Sequence, residues 1–259
     1  MRLALGIEYD GSQYHGWQKQ PGLHTIQETL ERAIQQVAQH PVEVVCAGRT
    51  DTGVHALGQV LHFDTTAERN THSWVHGGNA FLPKDICIRW AKNVPDDFHA
   101  RYSAKARTYR YLICDEPIRP ALFRGHVTWT YRTLNHKHMA EAAACLVGEH
   151  DFTSFRSSDC QSLTPMRCIH AISVNRHQRY VQIEVTANAF LHHMVRNIAG
   201  VLIAVGSQKR SPEWAQEVLF AKDRRLGAET APPYGLYFVR VQYPEAYQLP
   251  ERVETIGLL

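Results

Sequence analysis

Gly48-Arg49-Thr50-Asp51-Thr52-Gly53-Val54-His55 separates two segments, residues 42–47 and 59–63, whose apolar and β-branched residues favour strands. The two glycines of the run permit a tight turn or a close approach of the backbone to a ligand. Polar, glycine-bounded runs between strands form surface loops. The sequence therefore predicts a hairpin whose connecting loop carries Asp51.

The segments around this hairpin predict the rest of an α/β half. Strands are expected over residues 3–9 and 86–90. Between them, apolar residues from Ile26 to Val37 recur at helical spacing. Thr25 and Glu28 have the spacing of a capping box, which would begin this helix.

The second half of the chain repeats the alternation of strands and helices without a repeat at the level of single residues. Asn135 is expected to cap a helix that Gly148 closes. The other predicted elements are strands over residues 108–114, 166–174, 180–186 and 236–241 and a helix over residues 191–205.

These elements predict an α+β protein in which two α/β lobes of ferredoxin/RRM-like topology share a largely antiparallel sheet. A chain of 259 residues is long enough for one large or two modest domains. We expect an N-terminal lobe over residues 1–102, which carries the Asp51 loop, and a C-terminal lobe over residues 103–245. Residues 246–259 are expected to form a peripheral tail.

The charge of the chain is unevenly distributed. The formal net charge is only +3, but the stretch from Lys84 to Lys137 holds 11 Lys and Arg against 5 Asp and Glu. Aromatic residues are interleaved with these cations, as in Arg107-Thr108-Tyr109-Arg110-Tyr111. Such a stretch is typical of a nucleic-acid contact or of a solvated strand face, and composition alone leaves both open.

The cysteines and apolar segments bear on location. The six cysteines form no Cys-x-x-Cys pair, and the chain opens without an apolar signal-like segment, which predicts a reduced cytoplasmic protein. The longest apolar run, from Ile198 to Val205, is shorter than a bilayer requires, so no membrane span is expected.

Asp51 by itself has two interpretations. An aspartate in a glycine-bounded loop is most often a turn former, because its carboxylate accepts bonds from nearby backbone N–H groups. Arg49 and His55 in the same run are instead typical of a loop that handles a substrate. Composition does not name a reaction.

Five runs together carry a resemblance to a known family. The run from Gly48 to His55, continued by Gly58-Gln59-Val60, resembles the active-site motif of the tRNA pseudouridine synthase A family. The resemblance extends in order over nearly the whole chain, through Phe98-His99-Ala100-Arg101, Ala106-Arg107-Thr108-Tyr109-Arg110-Tyr111, Phe190-Leu191-His192-His193-Met194-Val195-Arg196-Asn197 and Ala231-Pro232-Pro233-Tyr234-Gly235-Leu236. It implies the pseudouridine synthase fold and Asp51 as the catalytic carboxylate.

Arg196 lies on the predicted helix, which is apolar on almost every side from Ile198 to Val205, and a buried guanidinium is costly unless a carboxylate pairs with it. The alternative is an arginine at the wet end of the helix, after His192 and His193. The resemblance implies Asp51 as the partner. A cation there would keep the carboxylate ionised and would orient it.

Four further residues have implied roles in substrate binding. Tyr109 alone reads as an aromatic residue favoured in a strand, but the resemblance places it against the target base, with its hydroxyl a candidate for proton transfer. Arg49 is implied to occupy the space of a flipped nucleotide and to bind phosphate. Leu236, with Tyr234, is implied to line the base pocket.

The sequence predicts no metal and no cofactor. Although the chain has sixteen histidines, none has a cysteine or carboxylate at zinc-like spacing. Neither a Gly-x4-Gly-Lys loop nor a Gly-x-Gly-x-x-Gly run follows a strand, so no nucleotide cofactor is implied.

The resemblance implies an isomerase that converts uridine to pseudouridine at positions 38 to 40 of the tRNA anticodon stem-loop. It also implies a homodimer in which one tRNA spans both subunits. A covalent route and a glycal route remain open. The alternative function is a non-catalytic RNA-binding module or tRNA-folding chaperone, which the same fold permits.

Overall fold

A computed structural model describes residues 1–250 of the chain. The chain folds as two compact units. Among the described residues, the first comprises Met1–Lys105 and residues 237–250, and the second comprises Ala106–Leu236.

The strands follow one another along both units. Their bounds are β1 Arg2–Tyr9, β2 Val45–Cys46, β3 His55–Asp64, β4 Ile86–Val94, β5 Ala106–Asp115, β6 Thr128–Thr130, β7 Gly148–Asp151, β8 Met166–His177, β9 Tyr180–Ala187 and β10 Leu236–Gln242.

Within the described residues, the α-helices are fewer than the strands and contain fewer residues in total. Their bounds are α1 Ile26–Ala38, α2 Gly78–Phe81, α3 His136–Ala144, α4 Met194–Gly206 and α5 Trp214–Ala221. A π-helical turn, Ser73–Gly77, leads directly into α2.

The first unit is built on β1, which pairs antiparallel with β3 on one side and with β4 on the other. The hairpin partner β2 also pairs antiparallel with β3, whereas β10 pairs parallel with it, with Tyr237 opposite His55. Leu3 and Phe63 are buried and directly opposed in this pairing. The Phe63 ring packs edge-on against that of Trp74, with ring centroids 5.4 Å apart. Burial of these apolar side chains stabilises the unit.

The second unit has an antiparallel run of β5, β9, β8 and β7, and β6 pairs parallel with β5. Helix α3 packs against α4 and β8. The Gly206 position allows this close approach, because an added Cβ there would lie 2.5 Å from the Met139 sulfur.

The predicted α+β class is confirmed, and most strand pairing is antiparallel. The predicted hairpin is present, with Asp51 on the loop between β2 and β3. Asn135 caps α3 as expected, since its side chain accepts bonds from the N–H groups of Lys137 and His138.

Three local predictions are wrong. The Thr25 side chain makes no cap hydrogen bond at α1, so the predicted capping box is absent. Helix α3 ends at Ala144 rather than near Gly148, which begins a short strand, β7. Helix α4 begins at Met194 rather than 191 because His193 adopts a left-handed conformation, with φ 61°, that interrupts the helical backbone.

Within residues 1–250, no helix is both long and apolar enough to cross a membrane. The described part of the predicted tail includes the end of a 3-10 helix, Glu245–Tyr247, and the Tyr247 ring lies 5.1 Å from that of Phe98. The rest of the predicted tail, residues 251–259, lies outside the described residues.

Candidate active site

Asp51 lies on the loop from Ala47 to Val54 that joins β2 to β3. Exposure varies along this loop: Arg49 and Thr52 are exposed, Gly48 and Asp51 are half-buried, and Thr50 is buried. The loop therefore directs Thr50 into the unit and leaves Asp51 partly accessible to solvent.

The segment from Tyr14 to Trp17 holds one side of the loop. The Trp17 N–H donates to the Thr50 carbonyl oxygen at 2.9 Å, and the Gly53 N–H donates to that of Tyr14 at 3.4 Å. Gly16 has φ +81°, and a Cβ added there would lie 2.7 Å from the Thr50 oxygen. Only glycine therefore fits this position without strain.

A buried polar layer holds the loop from behind. The Gln59 side-chain amide bonds to both backbone groups of Gly48: Nε2 donates to its oxygen at 2.6 Å, and Oε1 accepts from its N–H at 3.3 Å. The Tyr9 hydroxyl lies 2.7 Å from Thr50 Oγ1, within hydrogen-bonding distance. Backbone and side-chain bonds thus fix the loop on both sides of Arg49.

His55 closes the loop at the start of β3. Its ring is 2% exposed and stacks on Tyr237 with ring centroids 4.8 Å apart. Its Nδ1 lies 3.2 Å from the Gly11 nitrogen and 3.1 Å from Asp10 Oδ1. Burial raises the pKa of the Tyr237 hydroxyl well above its usual range, and the charge of Asp10 adds to the effect. Tyr237 therefore stays neutral at physiological pH.

Tyr109 belongs to the second unit. It lies on β5, opposite Val185 of β9, and is 8% exposed. The Phe190 ring meets it edge-on, with centroids 4.9 Å apart at 81°. This aromatic packing fixes the plane of the tyrosine ring.

Arg196 lies in the first turn of α4 and is half-buried. Its Nε donates to the Ala231 carbonyl oxygen at 2.8 Å, while the Ala231 N–H donates to the Arg196 carbonyl oxygen at 3.2 Å. The guanidinium is therefore anchored to the protein, unlike an arginine that extends into solvent at a helix end.

The segment Ala231–Leu236 is held on its other side by β5. The Tyr111 hydroxyl donates to the Pro232 carbonyl oxygen at 2.7 Å and lies 2.6 Å from Thr128 Oγ1. An added Cβ at Gly235 would lie 2.4 Å from the Leu112 carbonyl oxygen. At the end of this segment Leu236 is buried, whereas Tyr234 is half exposed.

The residues singled out from the sequence thus fall into two groups. Arg49 and Asp51 share one loop of the first unit, and Tyr109, Arg196 and Leu236 belong to the second. Sequence reasoning missed Tyr9, and it noted Gln59 only as part of the motif. The available signal was a polar glutamine at the start of the predicted strand, directly before Val60 and Leu61, because a polar group in a buried strand must find hydrogen-bond partners.

Comparison with known proteins identifies the class of protein. The family model described as tRNA pseudouridine synthase matches residues 6–103 and 142–244, which is more than half of the chain. The chain belongs to the tRNA pseudouridine synthase family.

Individual relatives agree with this assignment. A protein named tRNA pseudouridine synthase A from Legionella pneumophila (strain Lens) is 62% identical over 96% of this chain and 95% of its own length. A protein of the same name from Coxiella burnetii (strain Dugway 5J108-111) is 60% identical over the same shares. The predicted family and isomerase class are confirmed by these findings.

Similarity to solved structures is weaker. A structure of an H/ACA ribonucleoprotein bound to a substrate RNA containing 2'-deoxyuridine aligns with 78% of this chain and 44% of that chain, at 12% identity and a TM-score of 0.35. A similarity of this size does not bear on the details of the fold or the site.

Proposed function

We propose that this protein converts uridine to pseudouridine at positions 38 to 40 of the tRNA anticodon stem-loop. Family membership supports the reaction class. The observation that carries the proposal is the presentation of Asp51, a half-buried carboxylate on a loop whose backbone is bonded on both sides. A reacting group needs both accessibility and a fixed position.

The reaction is an isomerisation without a change of redox state. The bond from uracil N1 to the ribose C1' breaks, the base turns, and C5 bonds to the same carbon. The proton on C5 leaves, and N1 gains a proton. The uridine must first leave its stack, which is the usual requirement for enzymes that act on a base.

Asp51 is the proposed catalytic carboxylate. It either attacks C1' to form a covalent intermediate or abstracts a sugar proton to give a glycal. Arg196 is its proposed counter-ion, as the family resemblance implies. The bond from Arg196 Nε to Ala231 supports this role, because it restricts the guanidinium to one orientation.

The proposed substrate contacts involve three other residues. Tyr109, held by Phe190, stacks against the flipped base and is a candidate to take the C5 proton. Leu236 lines the base pocket. Arg49, exposed beside Asp51, occupies the space of the flipped nucleotide and binds phosphate.

The proposed setting is a cytoplasmic homodimer in which one tRNA spans both subunits. No metal and no nucleotide cofactor take part in the proposed mechanism. Phosphate contacts from the basic stretch between Lys84 and Lys137 would make tRNA binding weaken steeply with salt.

Tritium release tests the proposal directly. An anticodon stem-loop transcript with uridines labelled at C5 and placed only at positions 38 to 40 should lose its label to water with the wild-type protein. A transcript with cytidines at these positions should lose none. Binding without release at stoichiometric protein would favour the non-catalytic RNA-binding alternative and would rule out the isomerase.

A further inference from the structure

Two hydroxyls and one amide form a buried polar cluster behind the Asp51 loop. Tyr9 is 3% exposed, Thr50 is 7% exposed and Gln59 is fully buried. They come from β1, from the loop and from β3, so the cluster joins the loop to two neighbouring strands of the same unit.

The cluster bonds to two residues of the loop, Gly48 and Thr50, which lie on either side of Arg49. Gln59 bonds to both backbone groups of Gly48, and Tyr9 bonds to the Thr50 side chain. Arg49 between them is exposed, and Asp51, which follows Thr50, is half-buried. A restraint on Gly48 and Thr50 therefore restrains the stretch of backbone that carries Arg49 and Asp51.

Apolar side chains would fill this space at less cost to folding than hydroxyls and an amide, because buried polar groups must all be bonded. Burial raises the pKa of the Tyr9 hydroxyl well above its usual range, although the bond with Thr50 acts in the opposite direction. Tyr9 therefore remains a neutral phenol, and its bond to Thr50 persists through the physiological pH range.

We propose that Tyr9, Thr50 and Gln59 are positioning residues that set the direction of the Asp51 carboxylate for the reaction. This inference rests on the proposed function of Asp51. The cluster does not touch the substrate; it acts through the loop backbone, and displacement of a reacting group by about 1 Å can reduce a rate by about 100-fold.

Two variants remove single bonds with little change in volume. Tyr9→Phe and Thr50→Val are each expected to lower kcat by about 10- to 100-fold, with KM for the stem-loop within about threefold. Thr50→Ser keeps the hydroxyl and is expected to retain most of the rate. The double variant Tyr9→Phe/Thr50→Val should match either single variant, because both changes remove the same bond.

Tyr243→Phe is the matched control. The Tyr243 hydroxyl donates to the carbonyl oxygen of Ala100 at 2.6 Å, and Ala100 belongs to the same unit but not to the loop. This variant should lower Tm by an amount similar to Tyr9→Phe and leave kcat unchanged. If the rate of Tyr9→Phe equals that of Tyr243→Phe, or if Thr50→Ser is as slow as Thr50→Val, the positioning role is wrong.

Amide hydrogen exchange across residues 49–54 provides a readout that does not depend on turnover. We expect faster exchange in Tyr9→Phe than in Tyr243→Phe. A wild-type protein that releases no tritium would refute the proposed function. An active wild type with unchanged exchange and kcat in Tyr9→Phe would refute only the positioning inference.

Discussion

Arg196 and Ala231 are joined by two reciprocal hydrogen bonds, from the arginine Nε to the alanine oxygen at 2.8 Å and from the alanine N–H to the arginine oxygen at 3.2 Å. The pair connects the first turn of α4 to the segment that ends at Leu236. Two of the runs that carry the family resemblance are thereby held together, although Arg196 and Ala231 are 35 residues apart in the chain.

Replacement of Arg196 should affect both stability and turnover. Arg196→Ala removes a bond from a charged donor, which typically contributes about 1.5–3 kcal/mol, and also removes the proposed counter-ion of Asp51. We expect a lower Tm and slower tritium release. Arg196→Lys keeps the charge but lacks the planar Nε donor, so it should recover part of the rate at most. Wild-type Tm and rate in Arg196→Ala would disprove the pairing.

Replacement of Asp51 should separate chemistry from binding. Asp51→Ala and the nearly isosteric Asp51→Asn are expected to abolish tritium release while the Kd for tRNA stays within about fivefold, since the carboxylate acts in the chemical step. Asp97→Asn, at an exposed position of the same unit, is the control for the loss of one negative charge. Measurable turnover by Asp51→Ala would remove Asp51 from its catalytic role.

Gly16 should not tolerate a side chain. Its φ of +81° is unfavourable for other residues, and a Cβ would lie 2.7 Å from the Thr50 oxygen and 3.0 Å from the Asp51 carbonyl carbon. Gly16→Ala is therefore expected to cost more than about 1 kcal/mol and to slow the reaction. Gly22 has a similar φ of +73° with no atom within 4 Å of an added Cβ, so Gly22→Ala isolates the cost of the backbone conformation. Equal losses of stability and rate in the two variants would argue against the close contact with the loop.

His62 should make the protein less stable in mild acid. Burial, with the charges of His99 and Arg2, lowers its pKa from 6.5 to about 4, and its Nδ1 accepts a bond from the Ala100 N–H. Between these two pKa values the unfolded chain binds a proton that the folded chain excludes. The free energy of unfolding should therefore fall by up to about 3 kcal/mol as pH drops from 6.5 to 4.

A histidine variant checks this assignment. His62→Asn supplies an oxygen at the Nδ1 position but does not titrate, so its stability should depend less on pH between 6.5 and 4. His15→Asn, at an exposed position, should keep the wild-type dependence. Urea denaturation at several pH values measures both. If the free energy of unfolding falls equally with pH in the wild type and in His62→Asn, groups other than His62 cause the fall.

Much of the local structure follows from the sequence because neighbouring residues encode it. Helical spacing from Ile26 onward predicted α1, alternation predicted β1, and the Asn135 cap predicted the start of α3. The capping box is absent, and the first two N–H groups of α1 are satisfied from outside the helix instead: Gly16 accepts from the Ile26 N–H, and Trp17 accepts from that of Gln27. These partners are tertiary, and a local motif does not reveal them.

The sequence by itself determined the family, the loop that carries Asp51 and the set of residues proposed to act with it, since motifs and periodicity are properties of adjacent positions. Tertiary structure alone decided how that loop is held. Tyr9 reaches Thr50 across 41 residues, and β10 returns from the end of the chain to lie parallel to β3. Such pairings depend on which buried polar groups meet when the strands pack, and every one of those groups needs a partner inside the protein.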